Sequence, residues 1–281
     1  MVDKPRVGVV TGANQGIGRA IVKGLRQRLD SADIVYLTGR NDARVEAAAA
    51  ELAAEGLPPV IPHQLDVRSD EDVASFAAAI ADRHGGADLV FSNAGYRRSP
   101  DLSRGAQVRA FIDTNNLGAT RMIRAFGPLL RPGGRFFVTA SDFGTLRGLG
   151  AHLHSRFDTA HMTLDDLDAT MLDYVDLVES GRDIAAGWPE SVNVPSKIGQ
   201  VAAVRIYARL QAADAARDGI LITAICPGLV DTPTSRPWFT DMSGAQTPDQ
   251  AAAAIMPLAL EQVRPEHYGQ LVQFGRVIPW S

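Results

Sequence analysis

Thr11-Gly12-Ala13-Asn14-Gln15-Gly16-Ile17-Gly18 follows the apolar run 7–10 and opens an amphipathic segment, 19–29, in which Ile21, Val22 and Leu25 recur at helical spacing. A strand that turns sharply into a helix through glycines makes an anion site. Bare backbone admits a pyrophosphate, and the helix N-terminus presents unpaired N–H groups and a partial positive charge. The glycines stand at 12, 16 and 18, so the pattern is G-x-x-x-G-x-G and not the G-x-G-x-x-G fingerprint. Glycine also serves plain turns. The strand before and the helix after favour a phosphate cradle.

Outward from this stretch, strands alternate with helices. A second apolar run, 33–40, ends in Thr38, Gly39 and Arg40 with no carboxylate until Asp42, which is placed to cap the next helix. An acidic residue at that point holds a ribose 2′-hydroxyl, whereas a 2′-phosphate needs a cation, so Arg40 points to NADP(H) unless it is a plain surface arginine. Residues 43–55 read as a helix, 60–65 as a third strand ending in Asp66-Val67, and 87–92 as a fourth running into Asn93-Ala94-Gly95. One helix over 104–130 carries Asn115 near its middle. Gly133-Gly134 turns into a fifth strand, 135–140, that delivers Ser141. A sixth strand is expected over 220–226 and a last one over 268–274. Such alternation means a parallel, doubly wound sheet with helices on both faces, which binds ligands at the C-terminal ends of its strands. Asn93, Ser141 and the glycine loop then share one rim.

The chain has 281 residues, 46% of them hydrophobic and 21% charged, and a net charge of −4. These values suit a soluble enzyme with a sizeable core and give no general attraction to nucleic acid or to an anionic membrane. No apolar run approaches membrane-spanning length and the N-terminus lacks the apolar core of a signal peptide, so a cytoplasmic protein is expected. The single cysteine, Cys226, excludes an internal disulfide and reads as a buried small hydrophobe. The aspartates of 165–183 read as a solvated helix face, and no metal site is expected.

Thr11-Gly12-x-x-x-Gly16-x-Gly18, Asn93-Ala94-Gly95, Asn115, Ser141, Lys197 and Pro227-Gly228 together resemble the short-chain dehydrogenase/reductases over essentially the whole chain. Gly187-Trp188-Pro189, Ser196-Lys197-Ile198-Gly199 and the closing Arg276-Val277-x-x-Trp280 are similar to its monomeric carbonyl reductase branch. The resemblance implies a single-domain Rossmann fold over 1–281. Ser141, Asn115 and Lys197 become candidate catalytic residues. Thr11, Gly12, Asn14, Gln15, Gly16, Ile17, Gly18, Arg40, Asp66, Val67, Asn93, Ala94, Gly95, Lys197, Pro227, Gly228, Val230 and Thr232 become candidate cofactor residues. The loop 229–243 is expected to close over nicotinamide and substrate, with Trp238 and Phe239 either lining that site or packing as ordinary loop residues. Ser141 and Lys197 are separated by much more chain than in short members of the family. The excess, about 142–187, contains a helix over 164–180, and in the resembling branch such an insertion covers the surface other members use for tetramers, which implies a monomer. Gly144, Gly148 and Gly150 suggest a mobile pocket rim.

One position departs from the family. Its proton donor is a tyrosine four residues before the lysine, and here Asn193 stands there. An amide donates a hydrogen bond but delivers no proton at neutral pH. Losing a positioned acid costs on the order of 10²–10⁴ in rate. Three readings follow. The first is an NADPH-dependent reductase of carbonyl, quinone or polycyclic ketone substrates, its proton arriving through a water chain via Asn115 and Lys197 or from Tyr96, Tyr174, His152 or His154. The second is a non-redox isomerase, cyclase or lyase in which Ser141 and Asn193 hold an enolate. The third is a silent NADP-binding protein.

Overall fold

β1 (Val7–Val10) is buried along its whole length, as a strand must be when helices cover both faces of a sheet. The computed structural model describes residues 4–281. β2 (Ile34–Gly39), β3 (Ile61–Gln64), β4 (Ala87–Ser92), β5 (Leu130–Thr139), β6 (Leu221–Ile225) and β7 (Leu271–Gln273) join β1 in parallel, and β8 (Arg276–Ile278) closes one edge antiparallel. The order is β3-β2-β1-β4-β5-β6-β7-β8. The chain therefore reverses direction across the sheet between β1 and β4, and a crevice opens beyond their C-terminal ends.

On one face α1 (Gly16–Arg26), α2 (Asp42–Ala54) and α9 (Pro248–Leu260) share an apolar core with the sheet. On the other, α3 (Asp70–His84), α4 (Arg104–Ile112), α5 (Gly118–Phe126) and α7 (Asn193–Leu210) do so. α6 (Leu164–Glu179) lies outside this layer, against α4 and α7, and buries Leu167, Met171, Tyr174 and Val175. A short α8 (Ala212–Asp218), not anticipated from the sequence, precedes β6. Among the described residues no helix is long and apolar enough to cross a membrane, and no group of three or more His, Cys, Asp or Glu side chains is placed to hold a metal.

Three elements differ from expectation. The helix expected over 104–130 is α4 and α5 joined by a π-helical turn, Asp113–Leu117, and it stops at Phe126. The extra residue in that turn swings Asn115 and Asn116 inward, where both are buried. β5 starts at Leu130, and the Gly133-Gly134 turn is a bulge in its pairing with β4, where the register shifts between Ala87 and Leu89. The last strand is two. Phe274 and Gly275, at φ 49° and 73°, make a tight hairpin turn between β7 and β8.

Candidate active site

The glycine loop is built by close approach. At Gly12, φ is 61° and an added Cβ would stand 2.7 Å from Ala94 Cα; at Gly18 it would stand 2.5 Å from the Gly12 carbonyl oxygen. The buried Thr11 hydroxyl accepts from the N–H groups of Asn93 and Ala94, each at 2.9 Å, and Asn93 Nδ2 donates back to the Thr11 carbonyl at 3.0 Å. These bonds hold the loops after β1 and β4 as one unit. α2, α3, α4, α6 and α9 start on side-chain caps, from Asn41, Ser69, Ser103, Thr163 and Thr247. α1 and α7 start on none, and the first turns of both open on the same cavity. At α1 free N–H groups and a partial positive charge face what enters it; at α7, where Pro195 has no N–H and Val194 and Ser196 bond back to the Ser191 and Val192 carbonyls, the contribution is the partial charge.

That cavity has a volume of ≈ 970 Å³. Gly12, Asn14, Gln15, Gly16, Ile17 and Gly18 form one side, with Asn93, Ala94 and Gly95 beside them. Asn115, Ser141, Asn193 and Lys197 form the far wall, and Pro227, Gly228, Val230 and Thr232 the roof. Thr232 approaches Gly16, its Cγ2 lying 3.6 Å from where a Cβ would be. Trp238 and Phe239 line the mouth rather than packing within their own loop.

The far wall is organised by α7. Asn193 is its first residue and Lys197 lies one turn on, so the two share a face. Lys197 Nζ donates to Gln200 Oε1 at 2.7 Å and to the Thr139 carbonyl at 3.2 Å. Burial pulls its ammonium down to about 8. Asn115 Oδ1 accepts from the Tyr96 N–H at 2.8 Å, and its neighbour Asn116 exchanges hydrogen bonds with Ser196. Asn115 thus fixes the Tyr96 loop against α7. The Ser141 hydroxyl donates to Asp142 at 2.8 Å and accepts from the Phe143 N–H.

Of the four side chains considered as proton sources, only Tyr96 lines the cavity. Tyr174 is buried against Trp188, its hydroxyl without a partner among the described residues. His152 packs beside Gly150 and Gly187, and His154 meets the carbonyls of Leu146 and Leu149. The glycines near Ser141 are points of close packing. A Cβ at Gly144 would stand 2.6 Å from Val201, and one at Gly148 2.9 Å from Val194, so glycine there permits close packing on α7.

At the nucleotide end, Asn14 Oδ1 lies 3.0 Å from where a Cβ on Gly39 would be, which sets it at the tip of β2 beside the exposed Arg40. Arg44, missed in the sequence, reaches Gln15 at 3.4 Å from the first turn of α2. Its signal was its place four residues after Arg40. Arg40, Asp66 and Val67 lie beyond the cavity wall. The Asp66 carboxylate is held by Arg68 at 2.6 Å, which keeps it below the usual carboxylate range. Val67 packs against Gly118.

A glycine cradle at a strand-order reversal, with lysine and amide on the facing helix, defines a dinucleotide-binding enzyme site. Residues 6–155 match the short chain dehydrogenase family. The chain is 32% identical to Carbonyl reductase [NADPH] 1 of Bos taurus and 34% identical to that of Homo sapiens, covering 98% of each chain in both cases. Among solved structures, salutaridine reductase from Papaver somniferum superposes with a TM-score of 0.79 at 22% identity, covering 95% of this chain and 99% of that one. NADPH-bound carbonyl reductase from chicken fatty liver superposes with a TM-score of 0.69 at 19% identity, covering 99% of this chain and 100% of that one. The chain belongs to the short-chain dehydrogenase family and is an oxidoreductase.

Proposed function

We propose that the protein is an NADPH-dependent carbonyl reductase that works without a tyrosine acid on its catalytic helix, acting on quinones and polycyclic ketones as a monomer of the cytoplasm. The cofactor is NADP(H): the curated relatives are NADPH carbonyl reductases, and the loop from Gly12 to Gly18 is a cradle whose backbone approaches too closely for side chains. Asn14, Arg40 and Arg44, gathered at the tip of β2, suit a 2′-phosphate, and residues 1–281 serve as one nucleotide-binding domain. The observation that carries the reading is Asn193 one turn before Lys197 at the uncapped start of α7, on the cavity wall that also holds Ser141.

Bound NADPH supplies the hydride. The chain's own residues then have to stabilise an oxyanion and return a proton. Asn193 Nδ2 donates a hydrogen bond to that oxygen, Ser141 Oγ donates a second once its hydroxyl turns from Asp142, and the start of α7 adds its partial positive charge. Lys197, at about 8, is charged at neutral pH yet close enough to it to release a proton through water. Quinones fit because the hydroquinone anion formed is a delocalised phenolate that needs little acid assistance, whereas the alkoxide of a polycyclic ketone is localised and draws its proton through Lys197. The amide at 193 also suits an enolate that is held but never protonated, the non-redox reading.

NADPH consumption against a panel of quinones, diketones and polycyclic ketones separates these readings, with Asn193→Tyr and Lys197→Ala run in parallel. We expect stoichiometric oxidation by the wild type, lost in Lys197→Ala. A protein that binds NADPH and consumes none, while Asn193→Tyr does, overturns the reductase reading.

A further inference from the structure

Among the described residues, Arg98 is the one cation lining this cavity that neither an ion pair of the fold nor the proposed reaction uses. Arg104 is satisfied, making a two-pronged ion pair to the fully buried Asp183 at 2.8 and 3.2 Å and a bond to the Glu190 carbonyl. Asp142 and Glu190 sit exposed at the rim. Arg98 is half-buried on the loop after β4, its Cζ 4.1 Å from the centre of the Trp238 ring and 5.4 Å from that of Phe111. Among the described residues it has no carboxylate partner and no hydrogen bond, and burial draws its guanidinium below the ordinary value.

A desolvated cation between two aromatic rings is oriented but not neutralised. Aromatic faces attract the charge while leaving its N–H fork without acceptors. The fork matches a carboxylate with two parallel hydrogen bonds, and the same rings present an apolar wall to a planar molecule. We propose that Arg98 is the substrate-recognition residue of this site and binds a carboxylate carried by an aromatic ketone or quinone substrate. The inference rests on reading the cavity as the place where the carbonyl substrate sits. Because Trp238 belongs to the loop that closes the roof, a carboxylate on Arg98 also loads the contact that joins the Tyr96–Ser99 loop to the roof.

The test compares 4-benzoylbenzoate with its methyl ester, which has the same ketone and no charge, in steady-state NADPH oxidation by wild type, Arg98→Met and Arg98→Lys. The wild type is expected to favour the acid by about tenfold or more in kcat/KM, a charged hydrogen-bonded pair in a partly dry site being the strongest kind. Arg98→Met is expected to lose about 10²-fold on the acid, through KM, and to stay within about threefold on the ester, with Arg98→Lys between them. Equal losses on both probes, or a wild type that prefers the ester, overturn the proposal and leave Arg98 as a latch to Trp238. If neither probe is reduced, calorimetric titration of both into NADP⁺-saturated protein decides. An acid preference that disappears in Arg98→Met upholds the recognition role while the reductase reading falls, and no preference sinks it.

Discussion

Lys197 carries two costs with opposite signs. Its burial holds the folded-state value at about 8, below the ordinary 10.5. Between those two values the unfolded chain binds the proton and the folded chain does not. Stability from this group is therefore fully present above 10.5 and is lost as pH falls toward 8. At neutral pH the ammonium is a burden on the fold, kept for what it does in the cavity. Lys197→Met is expected to melt higher than wild type at pH 7, by about 2–4 °C for each kcal/mol of penalty removed. The same substitution is expected to weaken NADPH binding at least about tenfold, because an anionic ligand favours the charged form. In the wild type, NADPH affinity should be flat below about 8 and fall above it, an inflection absent from Lys197→Met. Fluorescence titration across pH 6–10 reads both curves. Equal melting temperatures would mean that the ammonium is better solvated than its position implies.

At the scale of elements, the insertion shows how much of the chain was legible and where it stopped being so. Leu167, Met171, Tyr174, Val175 and Val178 repeat at helical spacing, and α6 buries those residues. The aspartates were read as a solvated face, which is only half their story. Asp165 and Asp168 pair with Arg124, Asp176 with Arg109, and Asp183 with Arg104, so the acids dock the insertion onto α4 and α5. Sequence spacing along one helix cannot reveal partners some forty to eighty positions away. The π-helical turn at Asp113–Leu117 was hidden for a related reason. One extra residue leaves the apolar pattern intact, and only packing around Asn115 and Asn116 requires it. β8 escaped because its turn uses Phe274-Gly275 where asparagine or aspartate before glycine would have signalled a hairpin. The alternation of strands and helices and the glycine cradle, by contrast, followed from local pattern alone. Among the docking pairs, Arg104–Asp183 is the one with a fully buried member. Replacing the Asp183 carboxylate by an amide leaves the guanidinium, itself one-third exposed, with one neutral acceptor oxygen where it had two charged ones. Asp183→Asn is expected to cost about 2–3 kcal/mol in chemical denaturation, below the usual range for wholly buried pairs. Asp165→Asn, with an aspartate 91% exposed, should change stability by less than about 0.5 kcal/mol. Equal effects would show that the insertion is held by its apolar face alone.

For the whole molecule, the placement of α6 bears on assembly. It covers α4 and α7, and what it turns outward is acidic: Asp165, Asp173 and Asp176 are 91%, 67% and 68% exposed, with Leu172 the one large apolar residue exposed on that helix. Each of these aspartates is paired with an arginine, Asp165 with Arg124, Asp173 with Arg156 and Asp176 with Arg109, so a symmetric contact across this face would bury a row of ion pairs against its own copy, because a two-fold axis pairs identical surfaces. The cost of desolvating those pairs opposes the roughly 1,200–2,000 Å² of complementary burial that a stable interface needs. Other exposed apolar residues offer little in its place. Ile61, Leu210 and Ile184 are scattered, Phe274 and Val277 make a small pair on the β7–β8 hairpin, and Leu102, Trp238, Phe239 and Phe143 belong to the cavity. Both edges of the sheet are short: β3 is four residues long and contains Pro62, and β8 is three residues long and begins with an exposed arginine, which limits edge-to-edge pairing. Sedimentation equilibrium at tens of micromolar is therefore expected to give one species near 30.0 kDa. Raising the salt to 1 M screens the carboxylates and should still leave that mass unchanged, since no apolar patch lies beneath them. A species of twice or four times the mass at low salt would end the monomer proposal. Association only at high salt would show that charge, and not the lack of an apolar surface, is what keeps the copies apart.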